Sequence, residues 1–466
     1  MFGWSFRPNA QPRPVSRLIE RHFRPYRPED LVVWERHFPV RARADLQRGI
    51  DSLLDTDVTV SHFCGVRKTF AHEGLTFSAL LAHQQHDPAL CAPPEYEEID
   101  VGEQQPVRAL KTGLWLLRTE KVRCAFFVAP ASKFSAFGQV AGRLFQVVLV
   151  NSPEAMHHGE ACLKRLEDAV QRGRSYRGKV LSLELEQPFS GEASDIVVHK
   201  LPSVERHQVI LPQATLDLLD RNVIRFADQR QRLSGLRQPV KKGILFYGPP
   251  GTGKTHTIHY LARALPGHTT LLITAEQVGL LSEYMALARL LQPSLVVVED
   301  VDLIARERTE MDACRQALLH RLLNEMDGLR EDAEVMFLLT TNRPELLETA
   351  LASRPGRIDQ AIEFPLPDAE GREKLIRLYS EGIDLPDELV QAVVRKTDKV
   401  SGAFIRELMR RSVQFHLERS EQASIDVEDV EGALEEMLFR GGSLNLKLLG
   451  AQERIAGFAP GTQESP

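Results

Sequence analysis

The sequence Gly248-Pro-Pro-Gly-Thr-Gly-Lys-Thr255 lies between a strand-like apolar run that ends at Tyr247 and a helical pattern that begins at His256. Its three glycines allow the backbone to curl so that several N–H groups point at one anion. The helix that follows adds the positive end of its dipole, and Lys254 adds a full charge. A strand, a glycine-rich loop and a helix in this order predict a phosphate-binding P-loop.

The ligand that this loop predicts is a nucleoside triphosphate with its magnesium ion. We expect Lys254 to contact the β- and γ-phosphates and the hydroxyl of Thr255 to ligate Mg²⁺. The residues expected to bind the nucleotide are Gly248, Pro249, Pro250, Gly251, Thr252, Gly253, Lys254, Thr255 and His256.

A second motif is the apolar run Val296-Val-Val-Glu-Asp300, which ends in two acids. Acids at a strand end can hold Mg²⁺ through its water and can orient an attacking water. This run follows the P-loop in the order strand–helix–strand, which is the order expected of a nucleotide site. Asp302 is an alternative acid at the same point of the chain.

Alternating strands and helices surround both motifs, and they predict a parallel sheet with helices on both faces. The ligand should lie at the carboxyl ends of the strands, where Asp300 and Asn342 follow two of them. From Asp368 the pattern becomes helical, which predicts a lid. The expected fold class is therefore α/β, with a P-loop NTPase core, a C-terminal helical lid and a separate N-terminal α/β domain.

Five segments are predicted along the chain. Residues 1–30 are rich in arginine and proline, and we expect a flexible arm there. Residues 31–190 are predicted to form an α/β domain that binds a substrate or partner, with Val180–Leu185 as its last strand. The remaining segments are an ATPase core at 196–367, a helical lid at 368–440 and a flexible tail at 441–466.

The composition is typical of a soluble globular protein, with 43% apolar residues, 26% charged residues and a net charge of −6. This acidic balance argues against a nucleic-acid partner, and no apolar run reaches the length of a membrane span. Five scattered cysteines are typical of reduced thiols in a cytoplasmic protein. His157, His158 and Cys162 are close in sequence, but a structural zinc site needs four ligands, so we expect no metal there.

Three further stretches, taken with the P-loop and the acidic pair, resemble the AAA family of ATPases in its FtsH/Cdc48/Bcs1-like branch. They are Thr341-Asn-Arg-Pro-Glu-Leu-Leu-Glu-Thr-Ala-Leu351, Arg354-Pro-Gly-Arg-Ile-Asp359 and Val400-Ser-Gly-Ala-Phe404. The resemblance covers residues 200–440 and implies binding and hydrolysis of ATP with Mg²⁺.

The resemblance also implies roles for matching residues. Asn342 matches the sensor-1 asparagine that helps to position the attacking water. Arg354 and Arg357 match arginine fingers that reach the γ-phosphate of a neighbouring subunit, and Gly402 and Ala403 match the sensor-2 segment beside the adenine. Because such fingers act across subunits, the resemblance implies a homo-oligomeric ring, which is a hexamer in most of the family.

This sequence departs from the family pattern at three points. The usual acidic order is Asp-Glu, whereas Glu299 precedes Asp300 here, so Glu299 takes the metal-water role and Asp300 takes the water-orienting role. An extra residue lies in the segment at Ala352-Ser353, before Arg354. Family unfoldases have an aromatic pore loop after the second strand, but Gln277-Val-Gly279 contains no aromatic residue.

Two functions are consistent with these patterns. In the first, a ring hydrolyses ATP and remodels a protein or complex that residues 31–190 hold. In the second, the chain is a nucleotide-gated assembly switch or scaffold with little turnover. Both predict a cytoplasmic protein whose partners are itself and another protein, and neither involves a membrane or nucleic acid.

Overall fold

A computed structural model describes residues 13–56, 58–68, 75–82, 87–119, 122–135, 138–184, 196–304, 322, 324–330, 332–345, 357–419 and 424–437. The chain divides into two compact units. The first comprises Met1–Arg177 and Leu183–His199, and the second comprises Gly178–Ser182 and Lys200–Pro466.

An antiparallel sheet lies at the centre of the first unit. Its strands are β1 (Leu31–Pro39), β2 (Thr59–Arg67), β3 (Leu90–Ala92), β4 (Glu95–Ile99), β5 (Val107–Arg118), β6 (Arg123–Ser135) and β7 (Gly138–Val150). They follow the order β1-β7-β6-β5-β2-β3, and β4 also pairs with β5. Every pairing between these strands is antiparallel.

Helices cover both faces of this sheet, because alternate residues of its strands are apolar on both sides. The helices are α1 (Val15–Phe23), α2 (Arg43–Leu54), α3 (Phe77–Leu81) and α4 (Pro153–Gln171). Trp115 and Phe126 pack in one cluster with side chains of α2 and α4. Leu114 and Phe127, one residue away in each strand, pack in a second cluster with side chains of α1 and α3.

Helix α1 differs from the flexible arm that the composition of residues 1–30 predicts. Val15, Ile19 and Phe23 recur every four residues and are buried in the second cluster. This spacing places the apolar side chains on one side of a helix while Arg17 and Arg21 stay exposed. The apolar stripe therefore outweighs the arginine and proline content over Val15–Phe23, whereas residues 24–30 are exposed.

The second unit contains a parallel sheet. Its strands are β8 (Val180–Leu183), β10 (Lys242–Tyr247), β11 (Thr269–Ile273), β12 (Ser294–Val298), β13 (Val335–Thr341) and β14 (Gln360–Glu363), and β9 (Ile196–His199) lies in the first unit. The order β14-β10-β13-β12-β11-β8 joins parallel neighbours throughout.

Strand β8 corrects the predicted domain assignment of residues 180–182, which lie in the second unit, whereas Leu183 lies in the first unit as predicted. The prediction places this segment in the N-terminal domain, but Val180 and Leu181 pair in parallel with Thr270 and Leu271 of β11. The backbone carbonyl of Lys179 also accepts a hydrogen bond from the N–H of Thr270 at 3.0 Å. A short apolar strand does not specify its neighbour by sequence, so only the fold reveals which sheet it joins.

Helices lie on both faces of the parallel sheet, which confirms the predicted α/β fold. They are α5 (Gln213–Leu219), α6 (Arg225–Gly235), α7 (Lys254–Ala264), α8 (Leu281–Leu290) and α9 (Val301–Ile304). Ile244, Phe246 and Leu295 share one apolar cluster with Leu219 and Leu261. The alternate strand residues are also buried, and α8 contacts β11 and β12.

The C-terminal region is helical, as predicted. Its helices are α10 (Ala369–Tyr379), α11 (Asp387–Lys396), α12 (Gly402–Leu417) and α13 (Val427–Glu435). The side chain of Asp368 caps α10 and that of Ser401 caps α12, so both helices begin where the sequence places an N-cap residue. The four helices share one apolar core that includes Ile376, Val390 and Leu408. No helix in the described ranges has the length and apolar character needed to cross a membrane.

Candidate nucleotide-binding site

The P-loop connects β10 to α7 and requires glycine at its tightest points. Gly248, Gly251 and Gly253 have φ angles of 145°, 76° and 97°. A Cβ atom on Gly248 would lie 2.2 Å from the carbonyl oxygen of Phe364, and one on Gly251 would lie 2.9 Å from the Cβ of Ala403. A side chain at Gly248 would displace the backbone of Phe364, one at Gly251 would displace the side chain of Ala403, and the positive φ of all three residues favours glycine.

Lys254 is buried at the start of α7, with 7% of its surface exposed. Its Nζ donates hydrogen bonds to the carbonyl oxygens of Gly248 and Pro249, both at 2.9 Å. Burial lowers the pKa of Lys254 to about 8, although the charges of Asp300 and Asp302 act in the opposite direction. A buried cation without a full counter-charge in contact is well suited to bind an anionic phosphate.

Thr255 and Glu299 come together as the sequence predicts. The hydroxyl of Thr255 donates to Oε1 of Glu299 at 2.8 Å, which joins the first turn of α7 to the end of β12. A hydroxyl and a carboxylate are hard oxygen ligands, and Mg²⁺ prefers such ligands together with waters and phosphate oxygens. The pair therefore fits a magnesium ion beside the P-loop.

Asp300 and Asn342 are also neighbours, because the parallel strands β12 and β13 end side by side. Nδ2 of Asn342 donates to Oδ1 of Asp300 at 3.1 Å. The N–H of Asp300 donates to Oγ1 of Thr340 at 3.0 Å, and Asp300 has a positive φ of 49°. Aspartate tolerates this left-handed conformation better than most residues do. The contacts fix the direction in which the Asp300 carboxylate points.

Asp302 holds the loop after β13 in place. Its carboxylate is 3% exposed and accepts hydrogen bonds from the hydroxyl of Thr341 at 2.9 Å and the N–H of Asn342 at 3.1 Å. With its Oδ1 engaged twice and no cavity surface, Asp302 positions Asn342.

A cavity of about 540 Å³ opens beside these residues, and this volume is within the range of small-molecule sites. Among the predicted residues, it is lined by Pro250, Gly251, Thr252, Gly253, Lys254, Thr255, His256, Asp300, Asn342, Gly402 and Ala403. Gly248, Pro249 and Glu299 do not line the cavity, and they reach it through their hydrogen bonds to Lys254 and Thr255.

The N-terminal end of α12 contacts the P-loop directly. The N–H of Ala403 donates to the carbonyl oxygen of Gly251 at 3.1 Å. Gly402 also lines the cavity, so the two residues that the resemblance places beside the adenine lie next to the phosphate-binding loop. This hydrogen bond joins the start of α12 to the P-loop.

Further residues line the cavity although no sequence motif predicts them. They lie before α5 and on the helical lid: Gln208, Val209, Leu211, Leu375, Tyr379 and Arg406. The backbone carbonyl of Gln208 contacts Nε2 of His256 at 3.2 Å, and burial lowers the pKa of His256. Arg406 is exposed at the cavity. The apolar run at 209–211 ahead of the P-loop could have indicated part of this wall.

Arg357 forms a buried ion pair within the chain. Its side chain is 3% exposed, its Nε donates to Oδ1 of Asp327 at 3.1 Å, and its Nη2 donates to Oδ2 of the same carboxylate. Its backbone packs against Gly243 at the start of β10, whereas the P-loop follows the other end of that strand. Within one chain the guanidinium of Arg357 is therefore engaged in a buried ion pair, and its finger role stays a prediction. Arg354 and the Ala352-Ser353 segment lie outside the described residues, so the finger role of Arg354 stays a prediction.

These features define a P-loop nucleotide-binding fold. Residues 244–366 match the model of the ATPase family associated with various cellular activities (AAA). This match identifies an AAA domain in residues 244–366 of the chain.

The curated relatives are similar to this chain over part of their length. The proteasome-activating nucleotidase of Methanosphaerula palustris is 32% identical over 217 residues, covering 44% of this chain and 52% of that protein. A 26S proteasome regulatory subunit 8 homolog of Schizosaccharomyces pombe is 33% identical over 232 residues, covering 46% and 56%. The ATP-dependent zinc metalloprotease FtsH 2 of Symbiobacterium thermophilum is 31% identical over 243 residues, covering 48% and 40%. The chain thus spans about half the length of the relatives it matches.

Proposed function

We propose that this protein binds ATP with Mg²⁺ and hydrolyses it as one subunit of a ring that remodels a protein or complex. The observation that carries the proposal is the convergence of two polar pairs, Thr255–Glu299 and Asp300–Asn342, beside Lys254 at one edge of a parallel sheet. Phosphoryl transfer requires groups that position the phosphates and stabilise charge, and these are the groups that converge here.

Each side chain has a specific task in this proposal. The P-loop N–H groups and Lys254 bind the triphosphate, and Thr255 and Glu299 hold Mg²⁺, which when bound neutralises phosphate charge. Oδ1 of Asp300 accepts from Asn342, whereas Oδ2 has no hydrogen bond to a described residue. Because Asp300 lines the cavity, this oxygen is available to accept a proton from an attacking water.

The ring and its protein substrate rest on the relatives rather than on a contact in this chain. Several of them are named as proteasome-activating or proteasome-regulatory proteins. We propose a homo-hexamer in the cytoplasm, in which Arg354 completes the site of the adjacent subunit. Residues 31–190 would hold the protein substrate or partner.

A second function, a nucleotide-gated assembly switch, is favoured by the segment between β11 and β12. Residues 274–293 are all described, and Tyr284 is their one aromatic residue. It is fully buried, and its hydroxyl donates to Oε1 of Gln277 at 3.1 Å. This segment therefore offers no aromatic side chain to grip a polypeptide, and Asp300 is one methylene shorter than the glutamate usual at that place in the family.

Steady-state phosphate release by the full-length chain distinguishes the two functions. The motor predicts Mg²⁺-dependent turnover that a chelator abolishes and a protein substrate stimulates. The switch predicts ATP-dependent assembly, measured by mass photometry, that Asp300→Asn leaves intact while turnover stays near background. Absence of both nucleotide binding and ATP-dependent assembly in the wild-type protein would contradict the motor and the switch alike.

A further inference from the structure

One face of the antiparallel sheet carries three side chains that commonly bind metals. His62 and Cys64 lie on β2, and Cys91 lies on the neighbouring strand β3. One ligand atom from each residue lies within 4.8 Å of the other two. The Sγ of Cys64 donates to the Sγ of Cys91 at 3.7 Å, and neither cysteine is in a disulfide.

The strand geometry explains why the three side chains meet. Residues two apart on a strand face the same side, so His62 and Cys64 share a face with Val66. Val66 pairs directly with Cys91, which places the third side chain on that same face. The cluster therefore follows from the backbone register of two hydrogen-bonded strands and does not depend on a flexible loop.

We propose that His62, Cys64 and Cys91 form a binding site for a zinc-class divalent ion, with a fourth position open to water or an added ligand. Thiolate and imidazole are the ligands that such an ion prefers. In a tetrahedral site with Zn–S bonds of about 2.3 Å, two sulfurs lie about 3.8 Å apart. The Cys64–Cys91 separation already matches that value, and the exposed His62 needs only a side-chain rotation to approach.

Burial and charge are consistent with the same ion. Cys64 is 1% exposed within an apolar cluster, Cys91 is half-buried, and His62 faces solvent. Two thiolates neutralise a divalent cation, so the loaded site carries no net charge near the guanidinium of Arg13, which acts electrostatically on Cys91. An ion could therefore enter from the solvent side and be held by sulfur on the buried side.

The site would fasten the edge of the sheet. Strand β3 has three residues and pairs with β2, and the N–H of Cys91 donates to the carbonyl oxygen of Arg13 at 3.0 Å, just before α1. A metal bridge between the strands would restrain this short edge strand and the chain leading into α1. Because binding requires the folded arrangement, the ion should raise the melting temperature.

The test uses the full-length protein purified under reducing conditions without added metal. Its zinc content is measured by elemental analysis, the ion is removed with a chelator, and Co²⁺ is titrated while thiolate-to-cobalt absorption is followed. We expect one ion per chain. Since loss of an outer partner alone weakens metal binding 10- to 100-fold, Cys64→Ser and Cys91→Ser should each weaken it at least about 100-fold. His62→Ala should weaken it about tenfold.

Cys162→Ser is the matched control, because Cys162 lies 3.6 Å from Nε2 of His158 in a two-ligand pair. It should leave cobalt binding unchanged. Chelation should lower the melting temperature of the wild type and of this control, but not that of Cys64→Ser. If a cysteine variant fails to fold, His62→Ala still tests the site, because His62 is exposed. Absence of cobalt–thiolate absorption in the reduced wild type, or equal loss of it in Cys162→Ser, would overturn the proposal.

Discussion

The two sheets of this protein distribute their strand ends in different ways. In the parallel sheet of the second unit, neighbouring strands end at one edge, and the P-loop, Asp300 and Asn342 follow β10, β12 and β13 there. In the antiparallel sheet of the first unit, successive strands end at opposite edges. The cluster of His62, Cys64 and Cys91 in this sheet lies instead on one face of two neighbouring strands.

This difference shows how the order and direction of strands determine where polar side chains come together. Parallel connections bring several loops to one place, so each loop needs to supply only one or two polar groups to build a site. Antiparallel connections separate successive loops, and side chains then meet through cross-strand register. The predictions below test whether nucleotide chemistry depends on the shared edge of the parallel sheet.

Loss of Lys254 should have the largest effect. Lys254→Ala removes the cation that we propose binds the phosphates, and we expect ATP turnover to fall on the order of 100- to 1,000-fold, together with weaker ATP binding. Phosphate release and nucleotide titration measure the two effects. Lys396→Ala, which removes a surface ion pair with Glu431, is the control and should change neither quantity. Normal turnover in Lys254→Ala would show that hydrolysis occurs elsewhere.

Substitutions of the two acids at the end of β12 should have different effects, one on turnover and the other on the Mg²⁺ requirement. Asp300→Asn should lower turnover on the order of 100-fold with ATP affinity nearly unchanged, because it removes the group that we propose accepts a proton from water. Glu299→Gln should instead raise the Mg²⁺ concentration needed for half-maximal turnover. A magnesium titration of both variants checks the assignment. The reverse pattern would exchange the roles of Glu299 and Asp300.

The ion pair between Arg357 and Asp327 tests whether Arg357 is structural. If it is, Arg357→Ala and Asp327→Ala should both lower the free energy of unfolding by about 1 to 3 kcal/mol. Turnover per folded chain should then change similarly in the two variants. Chemical denaturation and phosphate release measure these quantities. An Arg357→Ala variant that folds normally but loses turnover, beside an active Asp327→Ala, would support the finger role.

The smallest effect that we expect is a pH dependence of ATP affinity. The pKa of Lys254 in the nucleotide-free protein is about 8, and a bound phosphate favours the charged amine. Binding should therefore take up a proton above pH 8, and affinity should fall by up to about tenfold per pH unit as pH rises. Calorimetry in buffers of different ionisation enthalpy detects the proton. Lys254→Ala should lack this dependence, and an equal pH slope in that variant would assign the proton to another group.

The sequence was sufficient where local motifs determine the contacts. The P-loop, the Thr255–Glu299 pair and the Asp300–Asn342 pair follow from strand ends that a parallel sheet must bring together. The sequence was insufficient where tertiary packing selects the partner. Tyr379 and Arg406 reach the cavity only because the lid helices pack beside the P-loop.

The ion pair of Arg357 has the same physical origin. The partner of Arg357 is an aspartate 30 residues away, and no local pattern specifies that ion pair. Helix α1 is a different case, because the apolar spacing of Val15, Ile19 and Phe23 was visible in the sequence. The high arginine content of the segment favoured a flexible arm, whereas the structure buries the apolar side chains on one side of the helix.

Strand β8 has a practical consequence for anyone who trims this protein. The chain enters the second unit at Gly178–Ser182, returns to the first unit, and enters the second again at Lys200. A fragment that starts at residue 200 would leave the N–H and C=O groups of β11 without their β8 partners, and such an exposed edge invites aggregation. Residues 178–183 therefore need to accompany the second unit in any shortened version, for example joined to it by a designed linker.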